Sequence, residues 1–363
     1  MALARQIPVL DVRSPAEYQQ AHIPGAISFP LFSDEERKQV GTNYKQKSRE
    51  TAIKTGLDYF GPKMRPMVEQ AEEIIKSAAG NRDQMTAGAG EKAGHSLLVH
   101  CWRGGMRSAA VAWLLDLYGF RVYTLVGGYK AYRKWVLDQF EKEYRFTILG
   151  GYTGSGKTLL IDELKKINRP VIDLEALANH KGSAFGGLGP QPRQEMFENM
   201  LAEALFEQAA ASKTAPGTEG LEGAPIWLED ESQRIGNLQI PMPLWGTMRQ
   251  SPVCFLDIPF EERLQYITAE YKNLPKEKLV NAVIRIQKRL GGLDTKNAVG
   301  LLVEDNYTEA FRILLRYYDK WYGKALFNRE NISSILNKIP CQSVDTAVNI
   351  QKLLSCVSVS ASL

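Results

Sequence analysis

FTILGGYTGSGKT, residues 146–158, is the stretch that decides the fold of this chain. Its first four residues are apolar or β-branched and predict a short buried strand. Residues 151–158 fit the pattern G-x-x-x-x-G-K-[ST], and residues 158–167 predict a helix. In a strand–loop–helix unit of this kind, backbone N–H groups and the amino terminus of the helix surround an anion. The stretch therefore predicts a parallel α/β domain that binds a phosphorylated ligand.

The side chains of this loop indicate how the anion is held. The backbone wraps the phosphates, Lys157 supplies a positive charge, and Thr158 can hold Mg²⁺. The predicted diphosphate-binding residues are Gly151, Thr153, Gly154, Ser155, Gly156, Lys157 and Thr158. Acidic residues at the ends of later predicted strands are candidates for the metal: Asp173, and Glu229 and Asp230 in the acidic segment that ends with Glu231. The sequence leaves open which carboxylate faces an ion, and a solvated acidic strand end is the alternative.

A second anion-binding loop, HCWRGGMRS at residues 100–108, lies upstream between an apolar strand and an apolar helix. Backbone N–H groups and a helix amino terminus lower the pKa of a thiol and so produce a nucleophilic thiolate. We therefore predict Cys101 as the catalytic nucleophile. The residues predicted to form its oxyanion loop are Trp102, Arg103, Gly104, Gly105, Met106 and Arg107.

Composition limits the class of protein. Hydrophobic residues make up 44% of the 363 residues and charged residues 24%, which is typical of a soluble globular protein with two domains. The net charge of +4 is compatible with an RNA partner but does not argue for one. Four cysteines show no metal-binding spacing, and there is neither a secretion signal nor a long apolar run. We expect a cytoplasmic protein without a membrane partner.

Strands alternate with helices along most of the chain, which predicts an α/β fold with parallel sheets. We predict a first domain over residues 1–135, a linker helix over 136–145, and a second domain over 146–363. Beyond about residue 260 the periodicity is mostly helical. The second domain is therefore expected to end in a helical region.

The first domain resembles the rhodanese family. Its landmarks occur in order at residues 11–18 (DVRSPAEY), residues 22–27 (HIPGAI), the Cys101 loop and residues 126–129 (VGGY). The resemblance implies a rhodanese-like α/β fold and a persulfide on Cys101, with sulfur or selenium as cargo. However, five residues separate Cys101 from Arg107, one more than in many sulfurtransferases. The longer loop also matches the cysteine phosphatase signature, so phosphoester hydrolysis is an alternative.

A rhodanese-like domain fused to a P-loop NTPase-like domain resembles the bacterial tRNA 2-selenouridine synthase family over nearly the whole chain. Further segments that match this family lie at residues 40–45, 177–186, 191–192, 229–236 and 289–292. The resemblance implies a transferase that acts on wobble 2-thiouridine of tRNA. It implies that a geranyl group from geranyl diphosphate is attached to sulfur, and that selenium from selenophosphate then replaces the geranylated sulfur. No firmly bound cofactor is expected, with Mg²⁺ as a candidate ion and an enzyme that supplies selenophosphate as a candidate partner.

Under this resemblance the P-loop would hold a diphosphate leaving group, and the Cys101 loop would accept or orient selenophosphate. The polar segment after residue 179 is a candidate substrate loop, with an ordinary connection as the alternative. Its candidate residues are His180, Lys181, Ser183 and Gln191. Three basic clusters, at residues 37–54, 285–289 and 312–324, are candidates for RNA contacts, although solvated helix faces would look the same. The candidate tRNA-binding residues named from the sequence are Lys45, Arg234, Arg285 and Arg289.

Two other classes of function stay open from the sequence. One is a cysteine phosphatase joined to a nucleotide-binding domain, which would need an acidic general acid near the loop. No distinctive one is evident in the sequence. The other is a P-loop kinase with an inactive rhodanese-like module, and the presence of Cys101 argues against it.

Overall fold

The structure is a computed structural model that describes residues 6–80, 95–180, 189–214 and 223–360. The chain divides into two units, Met1–Asp138 and Gln139–Leu363. Each unit contains a parallel sheet with helices, which confirms the predicted α/β fold class. The predicted residues Lys181 and Ser183 lie outside the described ranges.

The first unit is built on a four-stranded parallel sheet in the order β2-β1-β3-β4. Its strands are β1 (Val9–Asp11), β2 (Ile27–Ser28), β3 (Ser96–His100) and β4 (Arg121–Thr124). Its helices are α1 (Pro15–Gln20), α2 (Asp34–Gln46), α3 (Arg49–Phe60), α4 (Met64–Gly80), α5 (Met106–Tyr118) and α6 (Gly128–Phe140). Every residue of β1 and β3 is buried, so these central strands fix the position of the loop that follows β3.

The linker helix predicted over residues 136–145 ends earlier than expected. The side chains of Tyr129, Tyr132, Val136 and Phe140 form a buried stripe at helical spacing along α6. That stripe ends at Phe140, and residues 141–145 form a turn and irregular chain before the next strand. The helix therefore begins well before residue 136 and stops where its apolar face stops.

The second unit is built on a five-stranded parallel sheet in the order β11-β10-β5-β7-β6, with a separate hairpin. The sheet strands are β5 (Phe146–Gly151), β6 (Val171–Ile172), β7 (Ile226–Glu229), β10 (Val253–Asp257) and β11 (Leu336–Pro340), and the antiparallel hairpin consists of β8 (Arg234–Ile235) and β9 (Leu238–Gln239). Strand β11 interrupts the region predicted as mostly helical. It lies at an edge with only Ile339 buried, so its sequence carries little of the apolar signal of a strand.

Helices flank this sheet and continue beyond it. They are α7 (Lys157–Lys166), α8 (Leu174–Ala178), α9 (Gln194–Thr214), α10 (Met242–Gln250), α11 (Phe260–Tyr271), α12 (Lys276–Arg285), α13 (Gln287–Leu290), α14 (Gly292–Val303), α15 (Tyr307–Phe327), α16 (Ile332–Ile335) and α17 (Thr346–Ser360). Helices α11 to α15 share a separate apolar core around Phe311 and Leu314. Within the described ranges, no helix combines the length and apolar character needed to cross a membrane.

Candidate active site

The Cys101 loop connects the buried strand β3 to helix α5. The Cys101 side chain is 3% exposed, whereas the loop residues from Trp102 to Met106 are exposed above it. The backbone of this loop packs closely on the first residue of α6. Gly128 lies at φ +58°, and a Cβ there would come within 2.3 Å of the Cys101 carbonyl oxygen. The predicted oxyanion loop is thus brought together around the sulfur atom.

The environment of the sulfur favours the thiolate. Burial acts to raise the pKa of the Cys101 thiol, but hydrogen bonds from the Ser108 side chain and from the backbone of Ser108, Arg103 and Gly105 outweigh it and lower the pKa overall. Ser108 Oγ lies 3.3 Å from Cys101 Sγ and 3.0 Å from the carbonyl oxygen of Gly105. The loop therefore stabilises negative charge at the Cys101 sulfur atom.

We expect Cys101 to be alkylated at a pH at which an ordinary thiol is still protonated. Because the folded pKa is lowered, the thiolate forms at lower pH, and the midpoint of the rate of iodoacetamide alkylation should lie below that of the same cysteine in urea. Ser108→Ala should move the midpoint upward. Mass mapping of the Cys101 peptide measures the rate. Equal midpoints in folded and unfolded protein would contradict this environment.

A buried ion pair supports the strand that carries the cysteine. Arg13 donates to both carboxylate oxygens of Asp11, at 2.9 Å from Nε and 2.6 Å from Nη2, and its guanidinium lies 3.9 Å from the centroid of the Tyr129 ring. His100 is fully buried beside Asp11, and burial lowers the pKa of its imidazole. His100 therefore belongs to the core under the loop and stays neutral near pH 7.

Arg107 is held by an acidic neighbour. Its Nη1 donates to Glu17 Oε2 at 2.7 Å. Burial acts to raise the pKa of Glu17, but Arg107 and, more weakly, Arg37 lower it overall. Glu17 is the carboxylate at this loop that could act as a general acid, and it therefore stays ionised near neutral pH.

The phosphate-binding loop follows β5 at the carboxyl edge of the second sheet. Lys157 Nζ donates to the carbonyl oxygen of Gly151 at 2.9 Å, and the Thr158 hydroxyl donates to Glu229 Oε1 at 3.4 Å. Gly154 lies at φ +83° with Arg263 and Ile267 close to where a Cβ would be. The predicted loop residues Thr153, Ser155 and Gly156 complete the turn into α7.

Two side chains clamp this loop, Arg263 of α11 and Tyr322 of α15, and neither contact could be identified from the sequence. Arg263 donates to the carbonyl oxygen of Thr153 at 3.0 Å and forms a two-pronged ion pair with Asp319. The backbone N–H of Gly151 donates to the Tyr322 hydroxyl at 3.1 Å, which in turn donates to Asp230 at 2.6 Å. These partners are distant in sequence, so only the fold brings them to the loop.

The acidic residues divide between two roles. Asp230 accepts hydrogen bonds from Tyr322 and Arg329. Asp173 caps α8 by accepting from the backbone N–H of Ala176, and it also accepts from Lys165 Nζ. Neither carboxylate is therefore directed to an ion. Instead, Glu229 is joined by Glu231, its neighbour in the predicted acidic segment, and by Glu175, which the sequence did not indicate. One ligand atom from each of the three lies within 4.8 Å of the others.

The charges of this glutamate cluster interact strongly. Desolvation raises the pKa of Glu231 to about 8, and the neighbouring Glu175 carboxylate adds to the shift. Glu229 is 1% exposed, its pKa is also raised by burial, and its Oε2 atom has no hydrogen-bond partner among the described residues. A buried carboxylate oxygen of this kind, beside Thr158 and two further carboxylates, fits the hard oxygen ligands that Mg²⁺ prefers.

The other predicted residues are dispersed. Gln191 donates to the carbonyl oxygens of Ala178 and Ile235 and accepts from the N–H of Asn237, so it ties the β8–β9 hairpin to α8. The structure places His180 just after α8, Arg234 in β8, Lys45 in α2, Arg285 at the end of α12 and Arg289 in α13. Of these, Arg289 lines a groove with residues of α15.

Comparisons with known proteins cover both units. A family model described as "tRNA 2-selenouridine synthase AAA domain" matches residues 144–340, and one described as "Rhodanese-like domain" matches residues 2–134. Three curated relatives are each named tRNA 2-selenouridine synthase. The relative from Hydrogenovibrio crunogenus is 35% identical over 351 residues, with 88% of this chain and 89% of that protein covered. The relative from Sulfurovum sp. is 32% identical over 372 residues (93% and 93%), and that from Marinobacter nauticus 32% over 359 residues (89% and 89%).

Proposed function

Because this chain belongs to the tRNA 2-selenouridine synthase family, we propose that it is a transferase that converts wobble 2-thiouridine of tRNA to 2-selenouridine. The reaction uses geranyl diphosphate and then selenophosphate, with S-geranyl-2-thiouridine as the intermediate. One observation carries the proposal: the same chain holds a thiol of lowered pKa in an anion-binding loop and a separate phosphate-binding loop. Because its substrate is tRNA, we place its activity in the cytoplasm.

Geranyl transfer is assigned to the P-loop. The sulfur of 2-thiouridine attacks C1 of geranyl diphosphate, a C–S bond forms, and the C–O bond to diphosphate breaks. The proton on N3 of the base is released to solvent. Negative charge grows on the departing diphosphate, and fixed N–H donors and a cation stabilise it best when they are in place beforehand. Lys157, the loop backbone and the amino terminus of α7 supply these groups, and the clamps from Arg263 and Tyr322 keep the loop in position.

Mg²⁺ fits the acidic side of this loop. Thr158 and Glu229 would hold it, with Glu175 and Glu231 beside them. A bound Mg²⁺ would supply additional positive charge for the diphosphate. The chain itself holds the carboxylates of Glu229 and Glu231, whose pKa values are raised, close together. A divalent cation would relieve their mutual repulsion.

We expect geranylation to depend on Mg²⁺ and to weaken in Glu229→Gln. The substitution replaces a charged ligand with a neutral side chain of similar shape, and the affinity for Mg²⁺ should fall by roughly tenfold or more. Calorimetric titration with Mg²⁺ alone measures the affinity, and geranylation across a Mg²⁺ series measures the effect. Glu163→Gln, which removes an exposed carboxylate of α7, serves as the matched control. Geranylation that persists unchanged in excess EDTA would exclude this role.

Selenation is assigned to the Cys101 loop. The loop presents backbone donors above the thiolate, and its extra residue makes it wide enough for a tetrahedral oxyanion such as selenophosphate. Cys101 orients the selenium donor, and Arg107 is held at the loop by Glu17. Selenium attacks C2 of the geranylated base, a C–Se bond forms, and the C–S bond breaks to release geranylthiol. Water then cleaves the P–Se bond and releases phosphate. The enzyme that supplies selenophosphate is the proposed partner of this loop.

The phosphatase alternative finds less support. Arg107 of the loop is paired with the Glu17 carboxylate. The lowered pKa of Glu17 makes this residue a poor proton donor at neutral pH. A kinase function would leave the lowered pKa of Cys101 without a purpose. Family membership favours the transferase over both alternatives.

The proposal is tested by incubating the protein with thiolated tRNA and geranyl diphosphate and analysing the nucleosides by mass spectrometry. The expected result is a wobble nucleoside that has gained the mass of one geranyl group less one hydrogen. The same tRNA without the 2-thio group should gain nothing. A protein that hydrolyses ATP and leaves the nucleoside unchanged would refute the proposal.

A further inference from the structure

A groove of about 260 Å³ opens in the helical part of the second unit, between α13, α14 and the middle of α15. It is lined by three cations, one carboxylate and two aromatic rings: Arg289, Arg316, Lys320, Asp294, Tyr317 and Trp321. We propose that this groove binds the RNA, with an unstacked base on Trp321 and the flanking phosphates on the three cations. The inference rests on the proposed function, which requires a tRNA but gives no place for it.

The charge of the groove is available to a ligand. Among the described residues, Arg289, Arg316 and Lys320 form no salt bridge with a carboxylate, and Asp294 is the one carboxylate that lines the groove with them. The Arg289 side chain is hydrogen-bonded to Tyr317, and Arg316 acts electrostatically on Glu261. Arg312, on the same helix, is by contrast paired directly with Glu261 and Glu309. An excess of positive charge in a concave surface is complementary to a phosphate backbone.

The aromatic rings suit a single-stranded nucleotide. Trp321 is 41% exposed, and Tyr317 meets it edge-on at 6.5 Å between centroids. Lys324 Nζ lies 5.5 Å from the centre of the Trp321 ring and adds further positive charge. Exposed rings beside Arg and Lys are the combination that binds unstacked bases in RNA loops.

The position of the groove fits a substrate that must reach the diphosphate. Helix α15 carries the groove residues Arg316, Lys320 and Trp321. It also carries Asp319 and Tyr322, which clamp the P-loop through Arg263 and directly through the N–H of Gly151. A nucleotide in the groove is therefore held by the same helix that holds the diphosphate-binding loop.

The test measures the affinity for tRNA over a series of salt concentrations. Arg316→Gln and Lys320→Gln should each weaken binding and reduce the slope of log K against log salt by roughly 0.7 to 1, because each removes one phosphate contact. Trp321→Ala should weaken binding roughly fivefold to a hundredfold at fixed salt and leave the slope unchanged, whereas Trp321→Phe should retain most of the affinity. Lys338→Gln, on the edge strand β11, is the charge-matched control and should bind as wild type.

The outcomes separate this inference from the proposed function. If wild-type protein binds thiolated tRNA and the Arg316, Lys320 and Trp321 variants match it in affinity and slope, the groove is not the RNA site. If wild-type protein does not bind tRNA, the proposed function fails as well. Equal melting temperatures of Trp321→Ala and wild type exclude unfolding as the cause of lost affinity.

Discussion

Cys101→Ser is expected to abolish the formation of 2-selenouridine and to leave geranylation at the wild-type rate. The substitution replaces a thiolate, stabilised by Ser108 and the loop backbone, with a hydroxyl that stays protonated at neutral pH. The P-loop belongs to the other unit and keeps all of its described partners. Nucleoside analysis of tRNA treated with geranyl diphosphate and selenophosphate should therefore show S-geranyl-2-thiouridine accumulating.

The matched control for this prediction is Cys356→Ser, which changes a half-buried cysteine of α17 in the second unit. It should support both steps. If Cys101→Ser formed normal amounts of 2-selenouridine, the thiolate would have no part in the reaction and the loop would have a binding role only.

Lys157→Ala is expected to produce the opposite result. Geranylation should fall by roughly a hundredfold to a thousandfold, because a fixed cation at the departing diphosphate is lost. Lys157 Nζ donates to the Gly151 carbonyl oxygen at 2.9 Å, which places the cation beside the loop that is proposed to bind the diphosphate. Selenation of tRNA that already carries the geranyl group should continue at the wild-type rate.

Lys166→Ala, at the far end of the same helix, removes an equal charge from an exposed ion pair with Glu163 and should leave both steps intact. Initial rates of geranyl transfer from radiolabelled geranyl diphosphate measure the loss. A Lys157→Ala enzyme with undiminished geranyl transfer would show that the loop binds some other anion.

The two loops could be predicted from the sequence because each is a local feature. A buried strand, a glycine-rich turn and a helix place Cys101 and Lys157 correctly without reference to the rest of the chain. The parallel sheets follow from the same alternation of strands and helices.

The surroundings of the loops could not be predicted in the same way, because they depend on contacts between distant segments. Arg263, Asp319 and Tyr322 reach the P-loop from helices that begin more than 100 residues later, and no local pattern marks them. Glu231 is two residues from Glu229 in the sequence, whereas Glu175 lies in α8, and only the pairing of β6 with β7 brings Glu175 to the other two glutamates. Likewise, the two basic segments around Arg289 and Arg316 form one groove only after α13 and α15 have packed.

We propose that the two loops act in succession on one sulfur atom of tRNA. The most direct measurement mixes the Cys101→Ser and Lys157→Ala enzymes and supplies thiolated tRNA, geranyl diphosphate and selenophosphate. Each variant alone should yield little 2-selenouridine, and the mixture should restore it, because the first enzyme makes the geranylated tRNA that the second consumes. A mixture that performs no better than its components, or a Lys157→Ala enzyme that selenates 2-thiouridine without geranylation, would contradict the account.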